Sequence, residues 1–262
     1  MKISSWNVNS INARIDHLIS FIKKDQSDIY LLQELKCTND NFPYEKIDKI
    51  NYNSYVNGQK AWNGVAILSK KPLKIINNSI PTYLEDSNSR FMEVEINISS
   101  IKRKVKLFNI YLPNGNPIDT KKFDYKIEWM KKFNQYILEL YYNNHPIIIG
   151  GDFNVIPSDD DVYSPENYKN DACAHPKTRK LFRELINCGL TDVVKYFING
   201  KTNWTFWGYR GGGWQKGNGL RIDHFLTSPE ITDIINDVII DRTPRGWGKA
   251  SDHTPVQLKI NN

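Results

Sequence analysis

The sequence predicts an α/β fold in which packed β-sheets are flanked by helices. Three observations carry that prediction. Helical and strand periodicities are mixed along the whole chain. Strand pairs joined by short turns outnumber clean βαβ units, which favours stacked sheets over a single parallel one. Of 262 residues, 40% are hydrophobic, enough for a sizeable core and too much for a disordered chain.

The elements follow in order. The amino terminus runs straight into a strand-like pattern that ends at Asn7. Ile11, Ile15, Leu18, Ile19 and Ile22 then recur at helical spacing and mark an amphipathic helix. Strands are expected at 29–32, at 65–68, over the alternation at 91–96, and at 105–111. Phe123, Ile127, Met130, Ile137, Leu138 and Tyr141 predict a second helix. Pro146 ends it, and 147–149 reads as a fully buried strand. Leu181, Phe182, Leu185 and Ile186 predict a third helix, with Gly189 as a left-handed cap. The last strands fall at 220–226, 238–240 and 256–260, the alternation of the last implying one wet face.

Charge and cysteines narrow the class. Thirty-five bases against 29 acids give a net charge of +6, which favours an anionic partner such as nucleic acid or a phosphorylated surface. Three cysteines (Cys37, Cys173, Cys188) without a CxxC pair suit a reducing compartment. No secretion signal is expected, and no apolar run approaches the roughly 20 residues that cross a bilayer. Segment 201–220 stands apart. It holds six of the 15 glycines, five aromatic residues, Lys201, Arg210 and Lys216, and no acid. Such a loop lets a nucleic-acid backbone approach while rings stack on it; the plainer reading is an edge hairpin with a loose turn.

The polar residues suited to chemistry share one placement, the ends of apolar strands. Asn7, Gln33 with Glu34, Asp152 with Asn154, and Asp252 with His253 all sit there. Rigid strands hold side chains that would wander on loops, so these residues are expected to form one site. That site needs both ends of the sequence, which implies one domain over residues 1–262. Hard oxygen donors with a single histidine point to Mg²⁺ or Mn²⁺ rather than zinc, and so to phosphoryl chemistry.

The strings SWNVNS (5–10), LQELK (32–36), YLPNG (111–115), GGDFN (150–154), LRID (220–223) and SDHTPV (251–256) occur in order over nearly the whole chain. Together they resemble the motifs of the exonuclease III family of Mg²⁺-dependent abasic-site endonucleases. The resemblance implies a DNase I-like four-layer sandwich of two packed mixed sheets flanked by helices. It also implies hydrolysis 5′ to abasic sites, leaving a 3′-hydroxyl, with 3′→5′ exonuclease or 3′-end trimming on double-stranded DNA. By the same resemblance Glu34, assisted by Asn7, holds the metal, with Asp252 and also Asp152, Asn154 and His253 as candidate ligands. Asp152 activates water and Asn154 positions it. Tyr111 approaches the phosphate, and His253, oriented by Asp223, bonds a phosphate oxygen. Lys122 is the candidate phosphate-binding lysine and Arg90 a backbone contact. Phe206, Trp207, Arg210 and Leu220 line or flank the pocket for an extruded sugar, although Gly208 stands where the family often has an acid. The implied partner is DNA bearing abasic sites or damaged 3′ ends, met by a cytoplasmic monomer that binds no membrane. A phosphoinositide, sphingomyelin or undamaged-DNA hydrolase of the same superfamily is the alternative.

Overall fold

Among the described residues of this computed structural model, 1–198 and 203–261, twelve strands form two sheets. The expected charge at Lys201 lies outside those residues. In chain order the strands are β1 (Lys2–Asn7), β2 (Ile29–Gln33), β3 (Asn53–Asn57), β4 (Val65–Ser69), β5 (Lys74–Asn77), β6 (Phe91–Ile96), β7 (Val105–Tyr111) and β8 (Ile147–Asp152). They continue with β9 (Thr191–Asp192), β10 (Asp223–Thr227), β11 (Ile235–Ile240) and β12 (Val256–Ile260). One sheet has the order β11-β12-β1-β2-β4-β3 and the other β5-β6-β7-β8-β10-β9. Both are mixed, because β1 pairs β2 and β7 pairs β8 in parallel while their other pairings are antiparallel.

Burial explains the continuous apolar runs. Ile29, Leu31, Ile148 and Phe225 point between the sheets, whereas Tyr30 and Leu32 face α1 (Ile11–Asp25) on the outside of the first sheet. Ile147 and Ile149 face away from the first sheet and join a cluster that includes Trp129 and Phe133 of α3 (Lys121–Tyr142) and Leu181 and Phe182 of α4 (Pro176–Asn187). Strands buried on both sides lose the alternation of a half-wet sheet. The result is the four-layer sandwich expected from the sequence: helix, sheet, sheet, helices. The long outer helices after α1 and the short α2 (Tyr44–Asp48) are α3 (Lys121–Tyr142) and α4 (Pro176–Asn187); α5 (Val193–Phe197), α6 (Gly213–Lys216) and α7 (Pro229–Thr232) are short connectors.

The structure corrects four local expectations. Ile127 and Leu138 are only half-buried, and Trp129 and Phe133 fill α3's inner face instead. The face of β12 opposite the core is not wholly wet: Gln257 is 5% exposed, because β12 is enclosed between β1 and β11. The strand expected at 220–226 starts at Asp223, while Leu220 pairs only through isolated bridges to Phe206 and Val162. Gly189 follows the cap residue Cys188, but at a φ of +123° rather than the left-handed helical value.

A buried charge network fixes the start of β10. The Arg221 guanidinium donates from Nε to Asp161 (2.9 Å) and from Nη1 to Asp192 (2.6 Å) and His224 Nδ1 (2.8 Å). His224 Nε2 donates to the Val155 carbonyl at 3.0 Å, which leaves Nδ1 as the acceptor. Burial alone raises a carboxyl's pKa, but the bonds and charge of Arg221 outweigh it and hold Asp161 and Asp192 below the usual range. Their stabilisation is therefore complete above the unfolded carboxyl value of about 3.9 and is lost as pH falls below it. The urea midpoint is expected to hold down to about pH 5 and to fall steeply below about pH 4. Arg221→Met should cost about 3–5 kcal/mol at neutral pH and flatten that decline. An acid limb identical to the wild type's would contradict the assignment.

Candidate active site

Strand register brings the polar residues together. Tyr111 and Asp223 both pair with Asp152, placing the ends of β7, β8 and β10 side by side. Asn7 pairs with Gln33 at the corresponding end of the other sheet, and Glu34 follows at a φ of +58°. The Asn7 amide joins the two sheets: Nδ2 donates to Glu34 Oε2 (2.9 Å) and to Asp152 Oδ2 (3.0 Å). Its Oδ1 is taken by the backbone N–H of Asn9 at 3.0 Å. Asn7 thus holds two carboxylates by donating to them, while its oxygen, the atom expected at a metal, accepts the Asn9 N–H.

The GGDFN glycines serve this approach. A Cβ on Gly151, whose φ is +149°, would lie 2.0 Å from the Ile110 carbonyl oxygen. One on Gly150 would meet Phe225 at 2.5 Å and Leu31 of the opposite sheet at 2.6 Å. Asn154 closes the turn, its N–H donating to Asp152 Oδ1 at 2.9 Å.

His253 Nδ1 donates to Asp223 Oδ2 at 2.8 Å, and the Thr205 hydroxyl donates to the same oxygen at 2.6 Å. That pairing turns Nε2 toward Asp152 Oδ2, 3.7 Å away. Burial by itself lowers the pKa of His253, but the Asp223 and Asp152 carboxylates outweigh it and push it up to about 10, so the ring is an imidazolium at neutral pH. Burial lifts Asp152 above the ordinary carboxylate range; the His253 charge works against that rise, and the Asp223 charge adds to it. Glu34 behaves oppositely, because Lys36, 2.8 Å from Oε1, more than offsets its burial and holds it low. Burial, then the Glu34 and Asp152 charges, keep the Tyr111 hydroxyl protonated far above its usual pKa.

Glu34, Tyr111, Asp152, Asn154, Phe206, Leu220, Asp252 and His253 line one open cleft of about 400 Å³. Phe206 packs edge-on to His253 with ring centroids 4.9 Å apart. Asp252 Oδ1 accepts from Asn9 Nδ2 at 2.9 Å. Arg90 supports Tyr111 from behind, with its guanidinium 5.0 Å from the ring and Nη1 donating to the Tyr111 carbonyl.

Three residues expected to contact substrate lie outside this cleft lining. Trp207 is fully buried against Trp214 and Arg242, so its ring shapes the loop rather than meeting a ligand. Arg210 is exposed on a short turn and is not among the cleft residues. Lys122 is exposed on the first turn of α3, and the lysine that enters the site's framework is Lys126, one turn on. The cleft also contains residues that sequence reasoning missed. Asn114 and Ile222 lay within recognised strings, whereas Tyr168, Asp171 and Cys173 carried no signal. Trp62 is 72% exposed between Ala61 and Asn63, both at positive φ, in a loop bonded to Leu35 and Lys36 beside Glu34.

The cleft presents hard oxygen donors to a divalent cation. The ligand atoms of Asp152, Asp223 and His253 lie within 4.8 Å of one another, but Asp223 Oδ2 and His253 Nδ1 are spent on each other. Glu34 and Asp152, drawn together on one amide, line the cleft with Asp252, Asp223 Oδ1 has no hydrogen-bond partner among the described residues, and such hard oxygen donors suit Mg²⁺ or Mn²⁺. Asp152, a buried carboxyl that resists ionisation, is what a cation would relieve.

Two stacked sheets with a carboxylate, amide and imidazolium centre at one end define a phosphoester hydrolase scaffold. Comparison with known proteins then places the chain: residues 4–253 match the Endonuclease/Exonuclease/phosphatase family, and the chain belongs to it. It is 33% identical over 270 residues to exodeoxyribonuclease III of Haemophilus influenzae, covering 98% of each, and 31% identical to an exodeoxyribonuclease of Bacillus subtilis over the full length of both. Among solved structures, the 3′ phosphatase NExo of Neisseria, bound to a product DNA hairpin, superposes with a TM-score of 0.93 at 32% identity over all of both chains. An AP endonuclease of Archaeoglobus fulgidus superposes at 0.91 with 30% identity, again over all of both chains.

Asp223→Asn removes the charge that keeps His253 protonated, so the imidazole pKa in metal-free protein should drop from about 10 toward the ordinary value near 6.5. A ¹H–¹⁵N NMR titration of the ring reads this directly. An unmoved titration would show that Asp223 is not the partner that matters.

Proposed function

We propose that this chain is a metal-dependent DNA repair nuclease that hydrolyses the phosphodiester 5′ to abasic sites and trims 3′ ends of duplex DNA. It would act as one domain and as a monomer in the cytoplasm. The observation that carries the reading is the cleft itself: Asp152, His253 and Tyr111 converge beside a wall of Phe206 and Leu220. The relatives named as exodeoxyribonucleases and AP endonucleases support the same substrate class.

The residues divide the work by their charge states. Asp152, with a raised affinity for protons, takes the proton from water as its oxygen attacks phosphorus. The bond from phosphorus to O3′ breaks with its electron pair on O3′, which takes up the proton held by Asp152 or one from solvent, leaving a 3′-hydroxyl on one side and a 5′-phosphate on the baseless sugar. His253, held as an imidazolium by Asp223, donates to a non-bridging phosphate oxygen as negative charge grows there. Tyr111, protonated and half-buried beside Glu34, offers a second donor. Asn154 holds the Asp152 carboxylate through its backbone N–H. A divalent cation at Glu34 and Asp152, Mg²⁺ or Mn²⁺, supplies charge neutralisation at the phosphate. A deoxyribose without a base suits an apolar wall because no base must be unstacked to reach it.

With Mg²⁺, the protein should nick a labelled duplex carrying a tetrahydrofuran abasic mimic and shorten a recessed 3′ end, and chelator should stop both. Asp152→Asn should lower kcat about 10²–10⁴-fold. Phosphate release from a phosphoinositide or sphingomyelin without nicking would favour the other substrate class. Trp62→Ala should raise KM for duplex DNA at least about fivefold with kcat little changed, as for loss of one stacking contact. An unchanged KM would remove Trp62 from the DNA-binding surface.

A further inference from the structure

Lys126 has no part in the chemistry above, yet its burial is complete. It lies in the second turn of α3 and makes no ion pair with an acid among the described residues; its Nζ donates instead to two backbone carbonyls, Pro113 O at 3.0 Å and Asn154 O at 2.7 Å. Burying an ammonium group against carbonyls alone is costly. Those carbonyls belong to the YLPNG and GGDFN segments, so one side chain spans the two loops that follow Tyr111 and Asp152.

The surroundings are built around it. Gly115, at a φ of +84°, lies over the lysine stem, and a Cβ there would come within 2.5 Å of Lys126 Cδ. The two loops are tied again beside the ammonium. Asn154 Nδ2 donates to the Leu112 carbonyl (2.9 Å), Asn114 Nδ2 donates to Asn154 Oδ1 (3.1 Å), and the Leu112 N–H donates to the Asp152 carbonyl (2.9 Å). Asn154 is thereby held at a φ of +48°, the conformation in which its own N–H reaches Asp152 Oδ1.

We propose that Lys126 is a positioning residue: by stapling the carbonyls of Pro113 and Asn154 it holds Asn154, and through it the Asp152 carboxylate, in the geometry that hydrolysis needs. Gly115 is the space this staple requires. The proposal rests on the reading of Asp152 and Asn154 as hydrolytic groups. It predicts that the lysine acts on turnover and not on substrate affinity.

The test uses Lys126→Met, which keeps the stem and removes the donors, Lys126→Gln, which keeps one amide donor group, and Gly115→Ala. On the abasic duplex with Mg²⁺, kcat of Lys126→Met should fall about 10–100-fold, the range expected when a reacting group shifts by a fraction of an ångström to one ångström. KM should stay within about threefold, Lys126→Gln should lie between, and Gly115→Ala should resemble Lys126→Met. The double variant should lose less than the product of the single losses, because both act through one contact. Near-UV circular dichroism checks folding; if Lys126→Met does not fold, the Gln and Gly115 variants carry the comparison. Hydrogen exchange at the Asn154 N–H, read by NMR without substrate, should quicken at least about tenfold in the variants. A kcat within threefold of wild type, a loss confined to KM, or unchanged exchange at Asn154 each overturns the proposal. If the wild type leaves the abasic duplex intact, the proposed substrate fails, and the exchange measurement still decides the staple.

Discussion

One amide group holds the two halves of this protein in functional register. Asn7 Nδ2 is shared between Glu34, which follows a strand of the first sheet, and Asp152, which ends a strand of the second. Two carboxylates from different sheets repel unless something donates between them. The amide does so while its oxygen is fixed by Asn9, which leaves it a single orientation. The centre exists only when both sheets are packed with β1 and β8 at the correct height.

The packing that sets this height is visible one layer below. Gln33 Nε2 donates to Asn109 Oδ1 at 2.7 Å across the sandwich, and Asn109 Nδ2 returns to the carbonyls of Leu32 and Ala66. A polar seam in an otherwise apolar interface specifies one register, since any slide strands buried hydrogen-bonding groups. Gly150 allows Leu31 and Phe225 to close on it. Fold and chemistry are therefore linked: the residues that lock the sheets lie next in sequence to, or two before, Glu34 and Tyr111.

Electrostatics then divides the roles. Asp152 and Asp223 are buried carboxyls and Glu34 a half-buried one, yet they differ in their neighbours. Glu34 has Lys36 and stays ionised, Asp223 is paired to His253, and Asp152 faces an imidazolium only at 3.7 Å and keeps a raised pKa. Similar groups in dissimilar surroundings are how one cleft obtains a base, an orienting acid and a metal-facing carboxylate.

Much of this was legible in the sequence. The apolar runs and helical spacings located the long helices and the core strands, because burial imposes periodicity on contiguous residues. The six strings located the polar centre and, with its resemblance, the four-layer fold, because the ends of rigid strands are where chemistry is held. Edge strands such as β3 and β5 left no comparable pattern, being half-exposed or exposed along their length. Only the tertiary structure decided which residues of a motif face the cleft and which brace it. Trp207 and Phe206 are neighbours in one aromatic string, yet one is core and the other lines the pocket. Lys122 and Lys126 share a helix, yet one is solvated and the other is sealed beneath Gly115. Sequence reports residue type and spacing along the chain; the direction of a side chain, and whether an amide donates or accepts, is settled by distant partners, as Asp152 settles Asn7 from 145 residues away.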